Sequence, residues 1–240
     1  VPAANIRYTG DTRFDQVWER AQKVDRASAL LTCTASARPT VVAGSTWPAD
    51  EAVLLPAWDA LRSAVPNARL IIAPHEPTAV HLAPLMEWSA QGGYRCATLR
   101  AVEQDGAHDA DVIVVDRVGV LGDLYAHADV AFVGGGFHKA GLHSAIEPAA
   151  FGAPVLFGPG HHMSREAGLL LAADASRAVA DVESLRDVLS DWLGDNAGGE
   201  GRRAAAGSAA RDVVQKELGA TARSVELIRD VLALSRGLPP

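Results

Sequence analysis

Cysteine is scarce in this chain, and so is any excess of positive charge. Its two cysteines, Cys33 and Cys96, lie far apart without metal-ligand spacing, which points to a reduced, cytosolic compartment. With 29 acidic against 22 basic residues and a net charge of -7, it lacks the basic surplus that a broad nucleic-acid surface needs. One small anionic ligand held by a local cluster stays open. No apolar run approaches the length of a membrane span. The opening "VPAANIRYTG" has neither Met nor a signal-peptide pattern, so a fragment whose upstream part is missing is expected.

Several well-known site motifs are missing too. A dinucleotide fingerprint fails because Lys139 stands where "GGGFH" would need a further glycine. There is no G-x-x-x-x-G-K-[ST] phosphate loop and no G-x-S-x-G elbow. "HKAGLH" and His161-His162 supply imidazoles without the companion ligands of a zinc site, so no metal is expected.

What is present is a β–α alternation. Candidate strands are "TVVAG" (40–44), "ARLIIA" (68–73), "YRCATL" (94–99), "DVIVVD" (111–116), "ADVAFV" (128–133) and "APVLF" (153–157). Near-continuous Val/Ile/Leu without in-out alternation marks strands covered on both faces. Helical patterns lie at about 11–26, 50–64, 78–91, 120–127, 144–151 and 164–172. The expected fold is one α/β domain, a doubly wound, Rossmann-like parallel sheet of six strands. Amphipathic "DVESLRDVLSDWL" (181–193) and helices near 201–217 and 219–235 follow. The last carries Val225, Ile228, Val231 and Leu232 on one side, fit either for packing on its own sheet or for a partner domain.

Ligands of such sheets sit at the strands' carboxyl edge, so the loops there are the candidate site. In "GSTWPADE" (44–51), Ser45 and Thr46 suit an anion near a helix start; Asp50 and Glu51 equally suit a plain helix entry. In "APHEPT" (73–78), Pro74 and Pro77 stiffen the backbone around His75 and Glu76. In "DRVGVLGDLY" (116–125), Gly119 permits close backbone approach to a base edge. "SAIE" (144–147) fits a capping box between Ser144 and Glu147, while a carboxylate facing a glycine floor also suits two ribose hydroxyls. The cap leaves Gly134–Gly136, His138, Lys139 and His143 unexplained.

These pieces, with "YTGDTRFD" (8–15), "VVDRVGVLGDLYAHADVAFVGGGF", "GLHSAIEPAAFGAPVLFGP" and "LGATARSVELI" (218–228), occur in the order found in one family. The chain resembles the nucleotide-sugar-binding half of 3-deoxy-D-manno-octulosonic acid (Kdo) transferases, two-domain GT-B enzymes of lipopolysaccharide core synthesis. Glu147, Pro148 and Gly152 form the E-P-x-x-x-G element common among GT-B glycosyltransferases. The resemblance implies CMP-Kdo as donor, a lipid A precursor as acceptor, an inverting transfer, and work at the cytoplasmic face of a bacterial inner membrane. It places the catalytic base and the acceptor surface in an N-terminal domain outside this chain, whose own 240 residues would be soluble, inactive alone and bound to that domain.

The donor-binding residues that it implies are Ser45, Thr46, Pro74, His75, Glu76, Val118, Gly119, Val120, Leu121, Gly135, Gly136, Phe137, Lys139, His143, Ser144 and Glu147. Gly119–Leu121 would hold cytidine, Gly135, Gly136, His143 and Ser144 the phosphate and sugar, and Glu147 the ribose. Many members carry Arg-His where this chain has His75-Glu76, Gly-Glu-Leu at Gly119–Leu121 and Gly-His-Asn at Leu142–Ser144. The missing Arg leaves Lys139, His75 or His143 as the phosphate contact. A UDP-sugar glycosyltransferase or epimerase, and a non-catalytic interaction module of the same fold, remain as alternatives.

Overall fold

The central strands form from the apolar runs, and these are buried on both sides. In a computed structural model, residues 6–106, 109–194 and 198–235 are described. Strands β1 (Thr40–Thr46), β2 (Arg69–Pro74), β3 (Cys96–Thr98), β4 (Val112–Val114), β5 (Val130–Val133), β6 (Val155–Phe157) and β7 (Ser176–Ala178) make one parallel sheet in the order β3-β4-β2-β1-β5-β6-β7. Alternate residues of one strand enter different cores. Val41, Leu70, Val112, Val130 and Phe132 face one layer; Val42, Ile71, Ile113, Ala131 and Val133 face the other.

The first layer contains α3 (Pro48–Ala64), α4 (Ala79–Gln91) and α9 (Val182–Leu193), which bring Trp58, Leu85 and Leu189 onto the sheet. The second contains α1 (Thr12–Lys23), α2 (Ala29–Cys33), α5 (Leu99–Asp105), α6 (Leu121–Leu124), α7 (Ile146–Ala150) and α8 (Arg165–Ala172), with Phe14, Leu31, Leu99, Leu124, Ile146 and Leu170 packed inward. Helix α10 (Gly199–Lys216) joins both layers through Ala206 and Val214.

Three expectations need correction. The sheet has seven strands, not six: "SRA" at β7 has no apolar run, and pairing with β6 along Val155↔Ser176 to Phe157↔Ala178 is what makes it a strand. The run 94–99 is strand only to Thr98, whose hydroxyl accepts the Ala101 N–H at 3.2 Å and starts α5. The capping box is absent: Ala145 precedes α7, and no side chain caps it.

At the amino edge Arg69 is buried, donating to the Thr34 carbonyl (2.7 Å) and to the Thr40 hydroxyl (3.2 Å). His127 lies nearby, its Nε2 3.0 Å from the Thr34 hydroxyl. Burial, helped by the Arg69 charge, pushes this imidazole down to about 4. Helix α11 (Ala220–Ser235) is tied to α1 through Asp15, which accepts the N–H groups of Gly219 (2.7 Å) and Thr221 (2.8 Å). Its Val225, Ile228, Val231 and Leu232 are exposed.

Candidate functional site

Strand order decides where a ligand fits. β1 and β5 are neighbours, yet the chain leaves β1 toward β2 and leaves β5 toward β6. Their outgoing loops part at the carboxyl edge and leave a crevice.

The loop after β1 is bent on itself. Ser45 adopts a left-handed φ of 54°, at an irregularity in the pairing of β1 with β2. A non-glycine residue there carries strain, which gathers at functional sites. The turn is held from inside: Thr46 donates its hydroxyl to Glu51 Oε1 at 2.8 Å. Burial raises the Glu51 carboxyl above its ordinary range, with that hydrogen bond opposing. Asp50 is fully buried and accepts three backbone N–H groups, from Trp47 (2.9 Å), Gly135 (2.8 Å) and Phe137 (3.0 Å).

The loop after β5 lies flat against this turn. The Gly134 N–H donates to the Gly44 carbonyl at 2.9 Å, and a Cβ on Gly134 would stand 2.2 Å from the Ser45 carbonyl oxygen. No side chain fits there. His143 donates its backbone N–H to Gly134 O at 3.1 Å, and Gly136 O accepts from Gly160 N at 2.8 Å.

Four rings gather above this floor. Trp47 stacks on His138 with centroids 4.3 Å apart and packs against His75 at 4.5 Å; His75 stacks on His143 at 4.5 Å. The Trp47 indole N–H donates to His143 Nε2 at 3.2 Å. Burial lowers the His143 pKa, with His75 adding to the effect. Next to the rings opens a cleft of about 590 Å³ lined by Arg13, His138, Lys139, Gly141, His162 and Arg165, among others. Arg13 is paired with Asp11 (2.7 Å) and Glu166 (3.1 Å), and Arg165 with Glu217 (2.7 Å). Lys139 has no ion pair among the described residues.

A second cluster lies beside Gly44. Leu121 and the Tyr125 hydroxyl pack on that glycine. Burial raises the Tyr125 phenol, and the negative Glu147 adds to it. Glu147 is half-buried and makes no hydrogen bond among the described residues. Burial raises its carboxyl, with Arg20 opposing. Arg20 lies on Gly122 and donates to Asp123 at 3.0 Å.

Ser45, Thr46, Pro74, His75, Gly135, Gly136, Phe137 and His143 thus surround the β1–β5 crevice. Val120 and Leu121 pack near its second cluster, and Glu147 belongs to that cluster. Val118 and Gly119 stand exposed on the rim, Gly119 with a left-handed φ of 88°. Glu76 turns away toward His81, whose Nδ1 lies 2.8 Å from the Glu76 carbonyl. Ser144 is half-buried and makes no side-chain hydrogen bond among the described residues. The sequence reading left out Trp47, Tyr125 and Arg20, took Asp50 only as a helix entry, and noted His138 without placing it among the donor-binding residues. Of these Trp47 and His138 had a signal, as aromatic and imidazole groups inside rim loops. Among the described residues no group of three or more His, Cys, Asp or Glu could hold a metal ion. No described helix is long and apolar enough to cross a membrane.

No family model matches the sequence. Curated relatives do. A 3-deoxy-D-manno-octulosonic acid transferase of Bordetella pertussis is 31% identical over 93% of this chain and 51% of its own length. One from Haemophilus influenzae is 27% identical over 96% of this chain and 53% of its own. The chain therefore spans about half the length of the curated relatives it matches. Among solved structures, the C-terminal CMP-Kdo binding domain of WaaA from Acinetobacter baumannii superposes with a TM-score of 0.62 at 22% identity, covering 84% of this chain and 99% of that one. The C-terminal domain of the group 1 glycosyltransferase LpcC from Francisella tularensis gives 0.55 at 12% identity, over 82% and 96%. The fold is that of one half of the GT-B architecture.

Proposed function

We propose that this chain, a homologue of the C-terminal half of the Kdo transferases, is the donor-binding half of such an enzyme and holds CMP-Kdo at the carboxyl rim of its sheet. The observation that carries the reading is Glu147. A half-buried carboxylate without a hydrogen-bonding partner among the described residues, beside Tyr125 and the loop of Leu121, suits the two vicinal hydroxyls of a ribose. The open backbone at Gly119 suits the edge of a cytosine. His143 and the ammonium of Lys139, which has no ion pair among the described residues, suit the phosphate, in place of the arginine common in the family.

In the whole enzyme, an acceptor hydroxyl oxygen of a lipid A precursor bonds to the anomeric carbon of Kdo. The bond from that carbon to the phosphate oxygen breaks, and CMP departs with the electron pair. A carboxylate in an N-terminal domain takes the hydroxyl proton, at the cytoplasmic face of the inner membrane. The residues of this chain bind and orient the donor, and fixed N–H groups stabilise charge growing on the leaving phosphate. The exposed stripe of α11 suits contact with that N-terminal domain.

Calorimetric titration with CMP and with UMP tests the donor reading. Heat with CMP and a weaker response to UMP is expected; no binding of CMP at millimolar concentration overturns it. Preference for UMP would favour the UDP-sugar alternative.

A further inference from the structure

The ring cluster fixes where one proton sits. An indole N–H can only donate, and that of Trp47 is 3.2 Å from His143 Nε2. Nε2 must then offer its lone pair, and a neutral His143 carries its single ring proton on Nδ1. The same contact opposes protonation, because an imidazolium has no lone pair for the indole to meet. The groups that face this ring are His75, His138 and Asp50. Burial lowers its pKa most, His75 and His138 push the same way, and Asp50 opposes them. Among the described residues nothing accepts a hydrogen bond from Nδ1.

We propose that Trp47 is a positioning residue, which locks His143 as the neutral Nδ1–H tautomer and leaves one directed N–H donor for a phosphate oxygen of the nucleotide donor. The ligand rests on the reading given under Proposed function; the lock does not. His75, stacked at 4.5 Å, keeps the imidazole from turning over, and the His143 backbone is anchored on Gly134. A donor held in this way does not vanish across the range in which an ordinary imidazole titrates. The positive charge is then left to Lys139, while His143 supplies direction.

Long-range proton–nitrogen correlation spectra of the isotope-labelled chain read the tautomer directly. His143 is expected to carry its proton on Nδ1 throughout neutral pH, and an Nε2–H tautomer in the unaltered protein overturns the lock. Trp47→Phe keeps an aromatic ring and removes the N–H; it is expected to release His143 toward the Nε2–H form and to weaken CMP binding about tenfold. An unchanged tautomer, or unchanged CMP affinity, overturns the positioning role. A second pair of variants decides even if Trp47→Phe does not fold. His143→Asn keeps an N–H near the place of Nδ1 and His143→Gln near that of Nε2, so the Asn variant is expected to bind CMP more tightly; the reverse order overturns the assignment. A correct tautomer in a protein that binds no CMP overturns the donor role and leaves the lock standing.

Discussion

The Asp50 carboxylate accepts the backbone N–H groups of both Gly135 and Phe137, at 2.8 and 3.0 Å, and so fastens the loop after β5 to the first turn of α3. A third bond, from Trp47 N at 2.9 Å, ties the same carboxylate to the ring cluster. Asp50→Ala would leave three backbone donors without their acceptor, two of them in the floor of the crevice. The expected loss is about 2–4 kcal/mol in urea unfolding. CMP affinity should fall as well, since Gly135 and Trp47 lose their common anchor. A stability within about 0.5 kcal/mol of the parent would mean that Asp50 is incidental.

Glu147 is expected to behave in the opposite way. With no capping bond to lose, Glu147→Gln should melt at or slightly above the parent temperature, because burial disfavours the charged carboxylate. CMP binding should weaken about tenfold or more. A cooperative melt with unchanged CMP affinity would remove Glu147 from the site.

Gly134→Ala tests the floor itself. Its Cβ would stand 2.2 Å from the Ser45 carbonyl oxygen, and backbone cannot swing aside as a side chain can. Destabilisation of about 1–3 kcal/mol or more is expected, read by chemical denaturation. Gly168→Ala, in α8, has nothing within 4 Å of the added carbon and serves as the tolerated control.

His127 makes stability depend on pH. Its folded pKa of about 4 lies below the ordinary value near 6.5, so between the two the unfolded chain binds more protons. Stability attributable to this group is present above about pH 6.5 and is lost as the pH falls toward 4, by on the order of 2–3 kcal/mol. Urea midpoints of the parent and of His127→Asn, followed across that window, should converge as the pH drops. A parent curve as flat as that of the variant would contradict the burial of a neutral imidazole there.

Much of the architecture could be read from local pattern. Runs such as Leu70–Ala73 and Val130–Val133 are apolar on both faces, and burial on both faces is what a central parallel strand requires. The same pattern fails at the edge: Arg177 and Ala178 are exposed in β7, so nothing in their chemistry distinguishes strand from loop. At 144–147 a capping-box spelling was present without the bond. The turn that brings the His143 N–H onto Gly134 fixes the entry into α7, and Ala145 takes the capping position.

The candidate site divides in the same way. That loops at the carboxyl ends of the strands would carry the chemistry follows from β–α alternation and the hand of the crossovers, and the glycines, histidines and Glu147 are legible there as residue types. Their partnerships are another matter. Asp50 lies 85 residues from Gly135 and Trp47 lies 96 from His143, distances over which local spacing carries no signal. They meet because β1 lies beside β5, with Gly44 opposite Val133, and a hydrogen bond across that seam exists only once the sheet has set the two backbones in register.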